Sequence, residues 1–189
     1  MRNALTVLAA FVLMTAAAPA GAVSFAIFGS GWDPDAVDEA LGGGISLSFP
    51  FGDSGLGMDL RGSFYQEANV ASIGVDDDNV FRDFGLQIVP VDAALRYDFS
   101  SDGAANLYLG GGASYLFLDV DQGPDLDDEL GWLAFVGAEL GDPDGARFFL
   151  EGSYRSATST VRADGDEIVD DVPIDLDGAM VNLGIVWRF

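Results

Sequence analysis

The sequence predicts an all-β protein, an eight-stranded antiparallel up-and-down transmembrane β-barrel with short periplasmic turns and long extracellular loops. Three observations support this fold class. Eight segments of 9 to 13 residues alternate apolar with polar side chains, and a tilted strand needs about 9–11 residues to cross a bilayer. Long polar loops alternate with tight turns along the chain, as in transmembrane barrels. Aromatic residues gather near the strand ends, where the membrane meets water.

Composition excludes several classes of function. The 189 residues include 31 acids, eight basic residues that are all arginine, and neither Cys nor His, for a net charge of −23. Such a charge repels nucleic acid. The missing Cys and His exclude thiolate zinc sites, Ser–His triads and His-ligated metals. Without these ligands we expect no cofactor. Because 49% of the residues are hydrophobic, the chain can still bury a large apolar surface.

The N-terminal residues 1–22 have the pattern of a secretory signal peptide. Arg2 precedes an apolar run, 4–18, that only two threonines interrupt, and small-x-small triplets end at Ala20 and Ala22. A positive start, an apolar run and a small-residue cleavage site define such a signal. We place cleavage after Ala22, or after Ala20. The run is short for a membrane anchor, so residues 23–189 form the barrel domain.

The strands follow from period-2 alternation. In the last of them, Val181, Leu183, Ile185, Trp187 and Phe189 share one face, and polar or small residues share the other. The predicted strands cover residues 23–31, 42–51, 56–66, 86–98, 105–117, 131–141, 146–156 and 178–189.

The connections alternate in length. Glycine and aspartate form tight turns near 52–55, 100–103 and 141–145. An even strand number places both termini on the periplasmic side with these turns. The long loops on the opposite side are predicted at 32–41, 67–85, 118–130 and 157–177.

Aromatic residues on the predicted lipid face form two girdles, as expected where aromatic rings sit among headgroups. The periplasmic girdle contains Phe25, Phe49, Phe51, Tyr97, Phe99, Phe148, Trp187 and Phe189. The outer girdle contains Phe64, Tyr115, Phe117, Trp132 and Tyr154.

The mature chain resembles the small eight-stranded outer-membrane β-barrel family that includes outer-membrane proteins A and X. The resemblance lies in the alternation of 181–189 ending in Phe189, the glycine-rich strand 107–112 and the strand 149–155. It implies a bacterial outer-membrane location, with membrane lipid and lipopolysaccharide as surroundings. It also implies that the barrel-assembly machinery reads a terminal signal, here Val181, Leu183, Ile185, Trp187 and Phe189.

Charged residues inside the strands balance. Five acids and five arginines have the parity of the face opposite the apolar one, which points into the lumen. Arginine forks pair well with carboxylates in a narrow space, and eight strands enclose little more than side chains. We therefore predict a lumen ion-pair network, although charges also line ion-selective channels. Its members are Asp59, Arg61, Asp92, Arg96, Asp98, Glu139, Arg147, Glu151, Arg155 and Arg188.

The predicted long loops are strongly acidic. They hold 22 acids against Arg82 and Arg162, a net charge of −20. Oxygen ligands of this kind suit divalent cations such as Ca²⁺ or Mg²⁺, so cation binding at the loops is an expectation. A solvated anionic rim is the simpler interpretation.

Three functions are compatible with these features. The first is a non-enzymatic barrel with a structural or surface-interaction role and a plugged lumen. The second is a small passive channel for ions or apolar solutes. The third, an enzyme, is disfavoured because comparable barrel enzymes use His, which this chain lacks. A secreted soluble barrel of the lipocalin type is an alternative fold, suggested by Gly29-Ser30-Gly31-Trp32, but the girdles and loop rhythm favour lipid outside the barrel.

Overall fold

The computed structural model describes residues 23–34, 39–69, 85–100, 103–120, 128–143, 145–161 and 172–189. The predicted signal peptide, 1–22, lies outside the described residues. The strands are β1 Ser24–Pro34, β2 Ala40–Pro50, β3 Leu56–Asn69, β4 Gly85–Asp98, β5 Ala105–Val120, β6 Glu129–Gly141, β7 Ala146–Ser156, β8 Thr158–Val161, β9 Val172–Asp175 and β10 Gly178–Arg188.

Eight of these strands form a closed antiparallel barrel in the order β1-β10-β7-β6-β5-β4-β3-β2. The first and last strands close it, with Phe25 opposite Trp187 and Gly31 opposite Val181. Closure leaves no unpaired strand edge in the barrel. The predicted fold class is confirmed. The described residues contain no apolar helix long enough to span a membrane.

Burial alternates along the strands and fixes which face points inward. In β7, Arg147 and Glu151 are at most 1% exposed, whereas Phe148 and Leu150 are 67% and 57% exposed. A water-soluble barrel would show the opposite arrangement, because its apolar residues would fill the interior. The outer surface is therefore the apolar one, as a bilayer requires.

Both aromatic girdles lie largely on this outer surface. Tyr97, Phe99 and Phe148 at the end with the termini, and Trp132 and Tyr154 at the opposite end, are each at least 39% exposed. Neighbouring rings pair, with centroids 5.0 Å apart for Tyr97 and Phe99 and 5.8 Å apart for Trp132 and Tyr154. One predicted member differs, because Phe49 is buried and only 7% exposed.

The strands extend further into the loops than predicted. β1 continues to Pro34 and β5 to Val120, because main-chain pairing persists past the apolar alternation. The predicted loop 157–177 also contains the two-stranded sheet of β8 and β9, in which Thr158 pairs with Asp175. β-branched residues, which favour strands, are frequent in both segments. They were missed because the segments are only four residues long.

Candidate functional site

The lumen is the candidate site, because the structure places all ten charged residues of the predicted network on its inward face. Their strands supply them from around the barrel: two from β3, three from β4, one from β6, three from β7 and one from β10. Only Asp98 and Arg188 keep a side-chain exposure of 22% and 18%, and the other eight side chains are at most 9% exposed.

Glu151 is the centre of the first cluster of contacts. Arg61 Nη1 donates to its Oε1 at 2.6 Å and Nη2 donates to its Oε2 at 3.0 Å. The Tyr108 hydroxyl donates to Oε2 at 3.0 Å and Asn182 Nδ2 to Oε1 at 2.8 Å. Four hydrogen bonds on one buried carboxylate offset the cost of removing its charge from water.

Glu139 is the centre of the second cluster, nearer the termini. It accepts a hydrogen bond from Arg96 Nη2 through Oε1, and one from Arg188 Nη2 through Oε2 at 2.7 Å. Arg147 Nη1 lies 3.7 Å from Oε2. Arg96 also donates to Asp98 at 2.7 Å. Because Arg188 is on β10 and Glu139 on β6, this cluster ties the last strand to the middle of the chain.

Asp59 joins the two clusters. Its Oδ2 is 2.9 Å from Arg61 Nη2 and 4.0 Å from Arg96 Nη1. Four arginines and four acids thus form one connected and electrically neutral group, which we call the eight-residue network. Its members are Asp59, Arg61, Arg96, Asp98, Glu139, Arg147, Glu151 and Arg188.

The remaining two residues form a separate pair closer to the loops. Arg155 Nη2 donates to both carboxylate oxygens of Asp92, at 3.1 and 2.9 Å. Arg155 Nε donates to Ser114 Oγ at 2.9 Å, and its guanidinium carbon is 5.3 Å from the centre of the Trp32 ring. The predicted balance of charge therefore holds separately within the network and within this pair.

Inward aromatic rings support the network, and none of them was among the predicted site residues. Arg61 Cζ lies 3.9 Å from the ring centre of Phe135, and Arg96 Cζ lies 3.8 Å from that of Tyr108. These are cation–π distances. Gly137 makes room for one ring, because a Cβ there would lie 2.4 Å from the Tyr108 side chain. Strand parity alone could have found Phe135, which is four residues from Glu139 on β6.

Apolar side chains fill the lumen towards the loops. Trp32, Tyr65, Ile88, Leu116 and Leu176 are each at most 1% exposed, and we call them the apolar layer. The Trp32 and Tyr65 rings pack edge to face at 5.2 Å. The predicted loops 32–41 and 157–177 include Trp32 and Leu176. In the structure, Trp32 instead lies on β1, whereas Leu176 lies between β9 and β10, within the predicted loop.

The chain around Leu176 is fixed at the barrel mouth. Leu176 N donates to Ala157 O at 2.9 Å, and Ala157 N donates to Asp177 Oδ1 at 3.0 Å. Burial raises the pKa of the Asp177 carboxyl, but hydrogen bonds with Ser156, the Asp175 side chain, the Ala157 amide and the Tyr154 hydroxyl more than compensate and hold that pKa below its usual value. Asp177 is therefore ionised at neutral pH.

The cavity beside the network is small. The centre of a water molecule can occupy a volume of about 10 Å³ in it. The residues that line the cavity include Ser46, Ser48, Asp59, Arg61 and Asn182. That volume suits about one water molecule. Across the described ranges, no group of three or more His, Cys, Asp or Glu side chains is arranged to hold a metal ion. The arrangement is suited to closing the lumen.

The predicted assembly-signal residues lie on the outside of β10. Val181 and Leu183 are 59% and 62% exposed, and Phe189, which follows the strand, is 78% exposed. Trp187 stacks on Phe25 of β1 with centroids 6.1 Å apart, and Phe189 N donates to Val23 O at 3.0 Å. The segment therefore presents an apolar face at the seam where the barrel closes.

With this geometry described, comparison with known proteins identifies the family. The outer membrane protein beta-barrel domain family matches residues 4–189. The chain belongs to this family. Among curated proteins, none shows significant sequence similarity to it.

Solved structures agree with this outer-membrane fold. The outer membrane protein OprG from Pseudomonas aeruginosa superposes with a TM-score of 0.71 at 17% identity, over 91% of this chain and 97% of OprG. Escherichia coli outer membrane protein W gives 0.60 at 14% identity, over 90% and 100%. Neisserial surface protein A gives 0.60 at 14% identity, over 89% and 96%. At these identities the similarity shows the fold alone.

Proposed function

We propose that this outer-membrane barrel is non-enzymatic, with a structural or surface-interaction role and a lumen plugged by arginine–carboxylate pairs. The observation that carries the proposal is the bond between Arg61 and Glu151, which crosses the lumen with contacts of 2.6 and 3.0 Å. Ions would have to break this contact to pass. The small adjoining cavity, about 10 Å³, supports the same interpretation.

The absence of His and Cys from the sequence supports a non-enzymatic role, because the usual general base and thiol nucleophile are missing. The barrel carboxylates are engaged in ion pairs with arginines, so none of them stands free as an acid–base pair for catalysis. Fold similarity does not fix function, so the role outside the lumen follows from the surfaces the barrel presents.

Those surfaces define the partners we propose. The apolar outer face contacts outer-membrane lipid, and the rim contacts lipopolysaccharide. The outward residues of β10 present the signal for the barrel-assembly machinery after an N-terminal signal peptide, 1–22, has directed export. Acidic loops, with 22 acids against two arginines, bind divalent cations opportunistically. Nucleic acid is excluded by the same charge.

Conductance in a planar bilayer tests the plug directly. The purified protein, refolded in detergent and inserted into the bilayer, should give no large, steady single-channel currents. A wide porin prepared in the same way serves as the positive control. Steady currents from the unmodified protein would support the passive channel instead and overturn the plug.

A further inference from the structure

The charged side chains do not line the lumen evenly. All ten charged residues of the lumen come from β3, β4, β6, β7 or β10. The adjacent strands β1 and β2 contribute uncharged inward residues to the cavity lining instead, namely the small Ala26, Ser46 and Ser48 and the larger Phe28. The cavity lies between this wall and the network, because its lining includes both. One side of the lumen therefore has room beside a polar surface.

Three polar atoms on residues that line this cavity lack a protein partner. Asp59 Oδ1, Arg61 Nε and Asn182 Oδ1 are buried and form no hydrogen bond with any described residue. Two are acceptors and one is a donor. Water satisfies both kinds of atom, and buried polar groups are costly when left unsatisfied. The cavity volume of about 10 Å³ fits about one such molecule.

Solvent access differs between the two ends of the barrel. At the end with the termini, the Asp98 and Arg188 side chains keep 22% and 18% exposure, and Ser48 is partly exposed. At the loop end, the members of the apolar layer are at most 1% exposed. Trp32 Nε1 also lacks a partner, but the indole packs against backbone, since a Cβ at Gly178 would lie 2.7 Å from that nitrogen.

We propose that the lumen is a one-sided water-binding vestibule. Water enters from the periplasmic end and binds at Asp59, Arg61 and Asn182, and the apolar layer keeps the extracellular half dry. This proposal rests on the plugged barrel proposed above, because it adds a hydrated half to a lumen that ions do not cross. Its ligand is water itself, held by groups that would otherwise remain unpaired.

Nuclear magnetic resonance of the unmodified protein in detergent provides the first test. Two side-chain N–H groups report on the two halves of the lumen: the Asn182 amide and the Trp32 indole. Magnetisation should transfer from water to the Asn182 amide, and the Trp32 indole should show no transfer on the same time scale. Equal transfer to both groups, or none to Asn182, would overturn the proposal.

Single cysteines provide the second test, because the chain has none of its own. Ser48→Cys on β2 should react with the small neutral reagent methyl methanethiosulfonate at least about tenfold faster than Ser30→Cys on β1, since thiol reactivity follows access. Ser30 is 5% exposed and sits beside the apolar layer, with Oγ 2.7 Å from the Tyr65 hydroxyl. Asp53→Cys and Glu39→Cys, at exposed positions near opposite ends, give the full rate.

The outcomes separate this proposal from the plug. If neither inward cysteine reacts until the barrel is unfolded, the hydrated vestibule is wrong and the plug stands. If Ser30→Cys reacts as fast as Ser48→Cys while the protein gives no current in bilayers, the apolar layer does not exclude water and the one-sided vestibule is wrong. If both react fast and the unmodified protein also conducts steadily, the vestibule and the plug are both wrong.

Discussion

Arg61 and Glu151 bind each other across the full width of the barrel, with Nη1–Oε1 at 2.6 Å and Nη2–Oε2 at 3.0 Å. Their strands, β3 and β7, have three strands between them in either direction around the sheet. No backbone pairing joins these strands, so side chains alone connect the two opposite walls. The ion pair therefore connects two strands that are as far apart in strand order as the closed barrel allows.

Removing either partner should weaken the barrel. Arg61→Ala leaves the Glu151 carboxylate buried without its cation, and Glu151→Ala leaves the guanidinium with Asp59 as its remaining carboxylate partner. We expect each variant to lower the free energy of unfolding by about 1–3 kcal/mol, less than for a fully dry pair because water can enter. Urea unfolding in lipid vesicles, followed by tryptophan fluorescence, measures this loss.

The double variant distinguishes pairing from packing. Replacing Arg61 and Glu151 together should cost less than the sum of the two single changes, because neither charge is then left alone. Asp53→Asn, in an exposed turn, should leave the stability unchanged. Simple additivity of the two single changes would show that the pair has no net coupling.

Deleting Phe189 should reduce insertion into the outer membrane. The residue ends the apolar face of β10 and is 78% exposed, so we expect it to act by being recognised rather than by filling a core. The fraction of chains that migrate faster on gels before boiling than after it measures folded barrel. Phe148→Ala, which removes another outward ring with 67% exposure, is the matched control. Equal folded fractions for the truncated and intact chains would contradict an assembly signal.

Trypsin added to whole cells should cut only at Arg82 and Arg162. These are the only basic residues in the predicted extracellular loops, and the chain has no lysine. The other arginines of the mature chain lie in barrel strands and should be protected. A variant with both loop arginines changed to Gln should stay intact. Cleavage that begins only after the cells are permeabilised would place the loops on the periplasmic side.

The Asp177 carboxylate should hold the segment after β7 in a pH-dependent way. Its pKa is lowered in the folded protein. Its contribution to stability is therefore fully present above the pKa of an unfolded aspartate, about 3.9, and is lost as the pH falls through the lower pKa of the folded state. At neutral pH, Asp177→Ala should speed hydrogen exchange of the Ala157 amide about fivefold, equivalent to about 1 kcal/mol.

Asp177→Asn is the control for this charge. The amide oxygen can still accept from Ala157, but it does not titrate, so opening of the segment should no longer change across the acidic range. The measurement is the hydrogen exchange of the Ala157 amide in the variant and in the unmodified chain, from neutral pH down to pH about 3. Identical acid sensitivity in both proteins would assign the effect to another group.

The barrel itself was predictable because its main signal is local. Alternation along each strand determines which residues share a face, and the girdles and loop rhythm determine which face meets lipid. All eight barrel strands were anticipated in order. Their loop-end limits were not, because β-pairing beyond the bilayer needs no apolar alternation. The short β8–β9 sheet was missed because each of its strands is only four residues long.

The contacts within the lumen were less predictable. Parity places Glu139 and Arg188 inside, but the stagger of a closed sheet determines which inward residues lie close together. Nothing along the sequence indicates that Glu139 meets three arginines while Asp92 meets one. The inward rings were overlooked because an aromatic residue suits lipid, headgroup or lumen equally well, and only its register decides.

The part of the lumen wall formed by β1 and β2 carries none of the charged lumen residues, so it is the place where the lumen could be widened by design. Ser46 and Ser48 face the network without belonging to it, so shortening them to glycine would widen the free space while every arginine keeps its carboxylate. Enlargement at a member of the eight-residue network would instead delete a charge and leave its partner buried without a counter-charge. A lumen widened in this way would keep the Arg61–Glu151 contact that joins its opposite walls.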